Sequence, residues 1–291
     1  MATKNNKNWG LYNEQLVKRG EFYLSFGLLE SWSKELIRMN RKKRGRPFEY
    51  PLCFVQFSAL IHVFFNLPYR QLEGVLRKLE TYIPNLKAAD YTTLWYRIPS
   101  LKLELPPSGG KPIVVALDST GIKVTNRGEW LRKNWKDKER KGWIKVHIAV
   151  DVKTKDMVAL EVTDEKTADC EMFKPLLDDL ELKDVLADGA YDNRDNFEFL
   201  SVKGIDKPGI KIRKNASGRG LSDRAFAVRE FQRLGYEKWK MKHNYGKRWS
   251  AEGFFSAMKR CFGECVRATT INGAIMEVRR KFMFYNMLLG L

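Results

Sequence analysis

The chain has 291 residues, with 53 Lys and Arg against 35 Asp and Glu, a formal net charge of +18. An apolar fraction of 44% can fill a sizeable core, so the length implies one main domain plus a smaller one that fold without disulfide staples. The charge predicts a polyanionic partner, most simply nucleic acid; the longest apolar run, Phe54 to Leu67, is too short to span a bilayer, and MATKNNKNWG lacks a signal-peptide pattern, which argues against a membrane partner and for the cytoplasm.

Cys53, Cys170, Cys261 and Cys265 show no framework spacing and are expected as reduced thiols. Cys261 and Cys265 with His243 lack the second paired element of a zinc site. Residues 1 to about 37 read as one or two short helices. Six cations then fall between Arg38 and Arg46, ahead of Pro47. Arg41, Lys42, Lys43 and Arg44 at its centre suit a flexible arm that follows a phosphate backbone, and a solvated linker is the plainer alternative.

Three helices are expected next, Pro51 to Phe65, Pro68 to Leu79 and Tyr91 to Ile98, with Pro68 in a first turn and Asp90 as an N-cap. The short turn between the first two and the final DYTTLWYR resemble a helix-turn-helix over about 51–98, with Arg97 and its neighbours as candidate DNA contacts. A plain helical bundle fits this segment equally well. The prolines and glycines of LKLELPPSGGKP, 101–112, mark the domain boundary.

From there the pattern becomes extended. IVVALD, 113–118, reads as a buried central strand ending on Asp118, followed by a turn at Ser119 to Gly121. The basic stretch 126–145 carries Trp130, Trp135 and Trp143 and suits DNA contact through its cations. WIKVHIAVD and DMVALEVTD predict a hairpin across VKTK, with Lys145 and His147 on one face and Asp151 and Asp164 as turn residues. A helix is expected from about Ala168 to Leu180. KDVLADGAY is the second buried strand and delivers Asp188 at its end; KPGIKIRK reads as another strand, and Asp223 as the cap of a helix to about Leu234.

Between Asn244 and Lys259, NYGKRWSAEGFFSAMK places Tyr245, Arg248, Glu252 and Lys259 at spacings of three, four and seven. On one helix these form a stripe roughly 60° wide, while Phe254, Phe255, Met258 and Phe262 face a core. An ordinary amphipathic surface helix is the plain reading. Asp118, Asp188 and Glu252 become a three-carboxylate cluster if the two strands are neighbours and the helix packs across them. Such a cluster suits Mg²⁺, a hard cation held by oxygen, and two ions would clamp the attacking and leaving oxygens of a phosphodiester, which is phosphoryl transfer. The overall class is α/β with a mixed sheet, closed by an amphipathic helix from about Asn272.

With LDSTGIKV around Asp118, KVHIAVD at 145–151, LADGAYDN around Asp188 and the pattern Y-x2-R-x3-E-x6-K, the sequence resembles a DDE transposase of prokaryotic insertion sequences, in the insertion sequence five group of the insertion sequence four superfamily. The resemblance covers roughly residues 50 to 285. It implies an RNase H-like catalytic domain at 111–270, an N-terminal helical DNA-binding region at 1–110 and a helix at 271–291 packing on the catalytic domain. It further implies dependence on Mg²⁺, for which Mn²⁺ can substitute, with Asp118, Asp188 and Glu252 as catalytic metal ligands. Tyr245, Arg248 and Lys259 would grip double-stranded DNA at the transposon end and target, and a homo-oligomer would assemble on that DNA. A nuclease that hydrolyses without joining, or a transposase-derived DNA-binding regulator, are the alternatives.

Overall fold

Runs of branched apolar residues build one sheet in the C-terminal part of this computed structural model, which describes residues 8–105, 110–124, 142–268 and 270–291. The paired prolines of the expected linker, Pro106 and Pro107, and Trp130 and Trp135, lie outside those residues. The chain divides into two compact units, Met1–Leu103 with Met287–Leu291, and Glu104–Asn286.

The first unit holds α1 (Trp9–Tyr23), α2 (Leu28–Asn40), α3 (Leu52–Phe64), α4 (Tyr69–Glu80) and α5 (Tyr91–Arg97). Asp90 caps α5 as predicted, its carboxylate accepting from the Thr92 and Thr93 amides at 2.9 and 3.0 Å. Pro68 stands one residue earlier than expected, at the N-cap of α4. Between α3 and α4 the chain bends by 120° across a turn in which Asn66 takes the left-handed conformation, φ 52°. No single helix among the described residues is long and apolar enough to cross a membrane.

The expected arm is a closed loop rather than a flexible tail. Arg38 belongs to the last turn of α2, and the Asn40 side chain pairs with both backbone groups of Phe48, at 2.7 and 2.9 Å, so the intervening cations sit on a pinned bulge.

The second unit is a mixed sheet of β1 (Ile113–Val124), β2 (Trp143–Asp151), β3 (Met157–Asp164), β4 (Leu182–Ala187), β5 (Gly209–Ile210) and β6 (Cys265–Val266), ordered β3-β2-β1-β4-β5 with β6 also paired to β1. The predicted hairpin is β2–β3, antiparallel, with Asp151 and Asp164 accepting backbone bonds in their turns. The turn expected at Ser119 to Gly121 is absent. β1 runs through it because β2 pairs without a break from Val115 to Lys123. Gly121 suits that register, since a Cβ there would lie 2.8 Å from the Trp143 ring.

Helices α6 (Phe173–Leu177), α7 (Arg194–Val202), α8 (Asp223–Leu234), α9 (Tyr236–Lys242), α10 (Trp249–Phe262) and, up to Asn286, α11 (Ile271–Leu289) complete the unit. α6 is shorter than predicted and follows a 3-10 turn at Asp169–Met172; Pro175 has no N–H to bond back to Glu171, so one continuous α-helix cannot form there. α8 ends where expected, but Ser222 rather than Asp223 caps it.

Val115, Leu117, Ala149, Val185 and Ala187 join residues of α6, α7 and α8 in a buried cluster. Strand alternation therefore puts Ala116, Asp118, Ile148 and Leu186 on the other face of the sheet. On α10, Phe254, Phe255, Met258 and Phe262 are buried as predicted, with Phe254 and Phe255 packed on Phe282 and Phe254 on Tyr285.

Candidate active site

Along one edge, β1 pairs with parallel β4 over Ile113–Ala116 and with parallel β6 over Lys123 and Val124. Among the described residues no strand pairs with Leu117–Ile122 on that edge. Asp118 sits in this break. It is a mid-strand residue, yet it is reachable because its neighbour has ended.

That neighbour ends on the second acid. Asp188 follows β4 directly and caps a 3-10 turn at Gly189–Tyr191, accepting the Ala190 amide at 2.8 Å. The third acid arrives on α10, which lies against β1 and β2. The predicted stripe is not wholly helical. Tyr245 to Arg248 form a 3-10 turn entered through left-handed Asn244, φ 50°, and Arg248 is the N-cap of α10.

Arg248 ties the pieces together. Its guanidinium is ion-paired with Glu252 and lies 3.6 Å from Asp118, with side-chain exposures of 18% for Arg248, 19% for Asp118 and 46% for Glu252. Burial pushes the Asp118 carboxyl up to about 6; Arg248 and the Ser119 amide oppose this, and the charges of Asp188 and Glu252 add to it. Burial also works against the Arg248 charge, but Tyr245, Asp118, Glu252 and Asp188 outweigh it and hold the guanidinium pKa above its ordinary value. All three acids thus act on one small volume.

Tyr245 is buried, its ring 5.0 Å from Trp239 and 5.8 Å from the Arg248 guanidinium, and burial raises its phenol to about 12. Lys259 is half-buried farther along α10 and forms no ion pair among the described residues.

Three residues of this region went unnoticed in the sequence. Asp169 lies 2.8 Å from Lys145 and 3.4 Å from the buried His147, whose other ring nitrogen is 3.0 Å from the Thr163 hydroxyl. Burial would raise the Asp169 carboxyl, but His147, Lys145 and Ser119 hold it well below the carboxylate range. The Tyr191 hydroxyl is buried with no hydrogen-bond partner among the described residues, and burial, then Asp169, Asp118 and Asp188, push its pKa far up. Asp192 is fully buried against Arg224. The shared face predicted for Lys145 and His147 was the one available signal, because a lysine beside a strand histidine calls for an acid.

The candidate DNA contacts of the first unit differ among themselves. Arg41, Lys42 and Arg44 are exposed on the pinned loop, whereas Lys43 donates to the Arg46 carbonyl and lies over the Phe48 ring. Arg97 is turned inward, donating to the Tyr50 carbonyl at 2.8 Å and covering Phe48 at 4.9 Å. Burial lowers its pKa.

Asp118 on β1, Asp188 just past the adjacent parallel β4, and Glu252 on the helix across them make an acidic patch around Arg248. Two family models match the chain, each described as a transposase DDE domain, over residues 109–287 and 17–127. The chain belongs to the transposase DDE domain family, and so is a transposase, an enzyme whose substrate is DNA. No solved structure matches it significantly.

Proposed function

We propose that the chain cuts DNA at the ends of an insertion sequence of the insertion sequence five group and joins the freed 3′-hydroxyl to target DNA, on an RNase H-like domain, with Asp118, Asp188 and Glu252 holding Mg²⁺. The observation that carries this is Asp118 in the break of the sheet edge, joined through Arg248 to Glu252 of α10, with Asp188 at the end of the adjacent β4 within its field.

The donors suit a hard divalent cation, since all are carboxylate oxygens. Enzymes of this family generally use divalent metal ions. The side chains as they stand do not form a ligand set: no group of three or more His, Cys, Asp or Glu among the described residues is arranged to hold a metal ion. Arg248 stands between Asp118 and Glu252 instead. When bound, the ion would supply Lewis-acid stabilisation of the phosphorane-like transition state and a nucleophile at neutral pH.

The rest falls to the chain. Asp118 is held by strand pairing to Ile148, and Asp188, just past the end of β4, is fixed by the Ala190 amide it caps, so both present their oxygens from a rigid base. In the first step water attacks phosphorus and the 3′-oxygen leaves as the hydroxyl; in the second that hydroxyl attacks a target phosphorus and displaces a target 3′-oxygen. Arg248 and Lys259 flank Glu252 along the helix and would hold phosphates on either side of the cut. The helical unit, with its 120° bend between α3 and α4, would bind the duplex, and the exposed Arg41, Lys42 and Arg44 would follow its phosphates.

A plasmid carrying the gene's own flanking DNA, incubated with Mg²⁺ and wild type or Glu252→Gln, tests this reading. Paired nicks at repeated ends, followed by joined products and lost in the variant, are expected. Scattered hydrolysis without joining would replace the transposition reading with a nuclease, and tight binding of the ends without cuts would replace it with a regulator.

A further inference from the structure

The guanidinium of Arg248 bridges two of the carboxylates, ion-paired with Glu252 and 3.6 Å from Asp118, and lies within the field of Asp188. A guanidinium has five donors and no acceptor, so it can take no part in a cation's coordination shell. Each carboxylate oxygen it holds is one that a divalent ion must win back, and its own charge repels that ion. The side chain is nonetheless not locked in. It keeps 18% exposure, springs from the N-cap residue of α10 rather than from its interior, and lies on the side of Glu252 opposite to Lys259.

Resting on the proposed metal site, we infer that Arg248 is the resident counter-ion of the carboxylates and exchanges partners when DNA arrives. A DNA phosphate draws the guanidinium off Asp118 and Glu252, and the oxygens so released take the divalent ion. The bidentate fit of Arg to phosphate makes the new partner as good a match as the old. DNA and metal then assist each other's binding by the same factor, as linkage requires, and couplings of this kind usually amount to roughly 5–150-fold. The protein alone binds metal weakly, which keeps a loaded hydrolytic site from forming away from DNA.

The test is Mn²⁺ binding to the full chain, followed by electron paramagnetic resonance, with and without a duplex from the gene's flanks and corrected for Mn²⁺ held by the duplex itself. Wild type should bind Mn²⁺ about tenfold more tightly with DNA present, within the usual range of coupling. Arg248→Met should bind it that tightly without DNA and gain nothing further when DNA is added. Arg248→Lys keeps the charge but loses the fork, and should show a smaller gain; it serves if the Met variant does not fold by circular dichroism. Asp118→Asn and Glu252→Gln mark the site. If they abolish Mn²⁺ binding while Arg248→Met (or, should Met not fold, Arg248→Lys) leaves both affinity and DNA coupling at wild-type values, Arg248 is not the counter-ion and the metal site stands. If Mn²⁺ binding ignores Asp118→Asn and Glu252→Gln, the metal site itself is lost and the inference with it.

Discussion

Asp192 and Arg224 form a two-point ion pair, Nε to Oδ1 at 2.6 Å and Nη2 to Oδ2 at 3.1 Å, with the carboxylate wholly buried. The same carboxylate accepts the Arg213 amide at 2.9 Å, and the Arg213 side chain donates to the carbonyls of Gly189 and Ala190. The loop that presents Asp188 is thus clamped from α8 and from the segment after β5. Asp192→Ala leaves the partly exposed Arg224 without its partner and the Arg213 amide without its acceptor, a change that costs about 1–3 kcal/mol. Urea denaturation should show that loss, and DNA cleavage should fall in any fraction that remains folded. An unchanged midpoint would mean the clamp is ornamental.

Asp118 gives a pH dependence with a definite sign. Its carboxyl titrates at about 6 in the folded chain against 3.8 as the ordinary value, so between those limits the folded state keeps a proton that the unfolded state has released. Stability from this group therefore falls as pH rises through that interval and is level above it. Asp118→Asn has no proton to lose. In chelator, its stability relative to wild type should improve by ~1–3 kcal/mol from pH 4 to pH 7. A difference that is flat or of opposite sign would show Asp118 to be better solvated than its 19% side-chain exposure implies.

Lys259 has no ion-pair partner among the described residues, so its replacement tests DNA binding without disturbing the acids. Lys259→Ala should weaken duplex binding and reduce the slope of log K against log salt by about 0.9, the loss of one phosphate contact. Mn²⁺ binding in the absence of DNA should be unaltered. A steeper salt slope would assign the lysine elsewhere.

Asn286 closes the open edge of the sheet. Its side chain accepts the Met157 amide at 2.7 Å and donates to the Met157 carbonyl at 3.0 Å, on the edge where β3 pairs with no further strand among the described residues. Asn286→Ala strands both buried groups and should cost about 2–4 kcal/mol. Thermal unfolding of the variant would measure it. Amide exchange at Met157 should quicken in parallel.

Much of this was legible in the chain itself. Branched apolar runs marked β1 and β4, alternation marked the β2–β3 hairpin, Asp90 marked a helix start, and the two aspartates and Glu252 stood out by their positions at the ends of such runs and on an apolar-backed helix. These are local signals, governed by side-chain periodicity, capping and turn chemistry, and they need no knowledge of distant neighbours. The turn read at Ser119 to Gly121 failed for the converse reason: Ser, Thr and Gly favour turns locally, but an unbroken ladder with β2 outweighs that preference. Pro175 likewise shortened a helix whose apolar pattern alone ran on.

What only the tertiary structure decided is which charges meet. That Asp118 lies in a break of the sheet edge depends on where β4 ends and β6 begins, and that Arg248 reaches both Asp118 and Glu252 depends on a 3-10 turn laid against β1. Asp169, Tyr191 and Asp192 acquired their roles in the same way, through burial beside partners from other strands and helices. A side chain's type is written in its own codon, but its charge state and its partners follow from desolvation and Coulomb interactions among residues that only folding brings within a few ångströms.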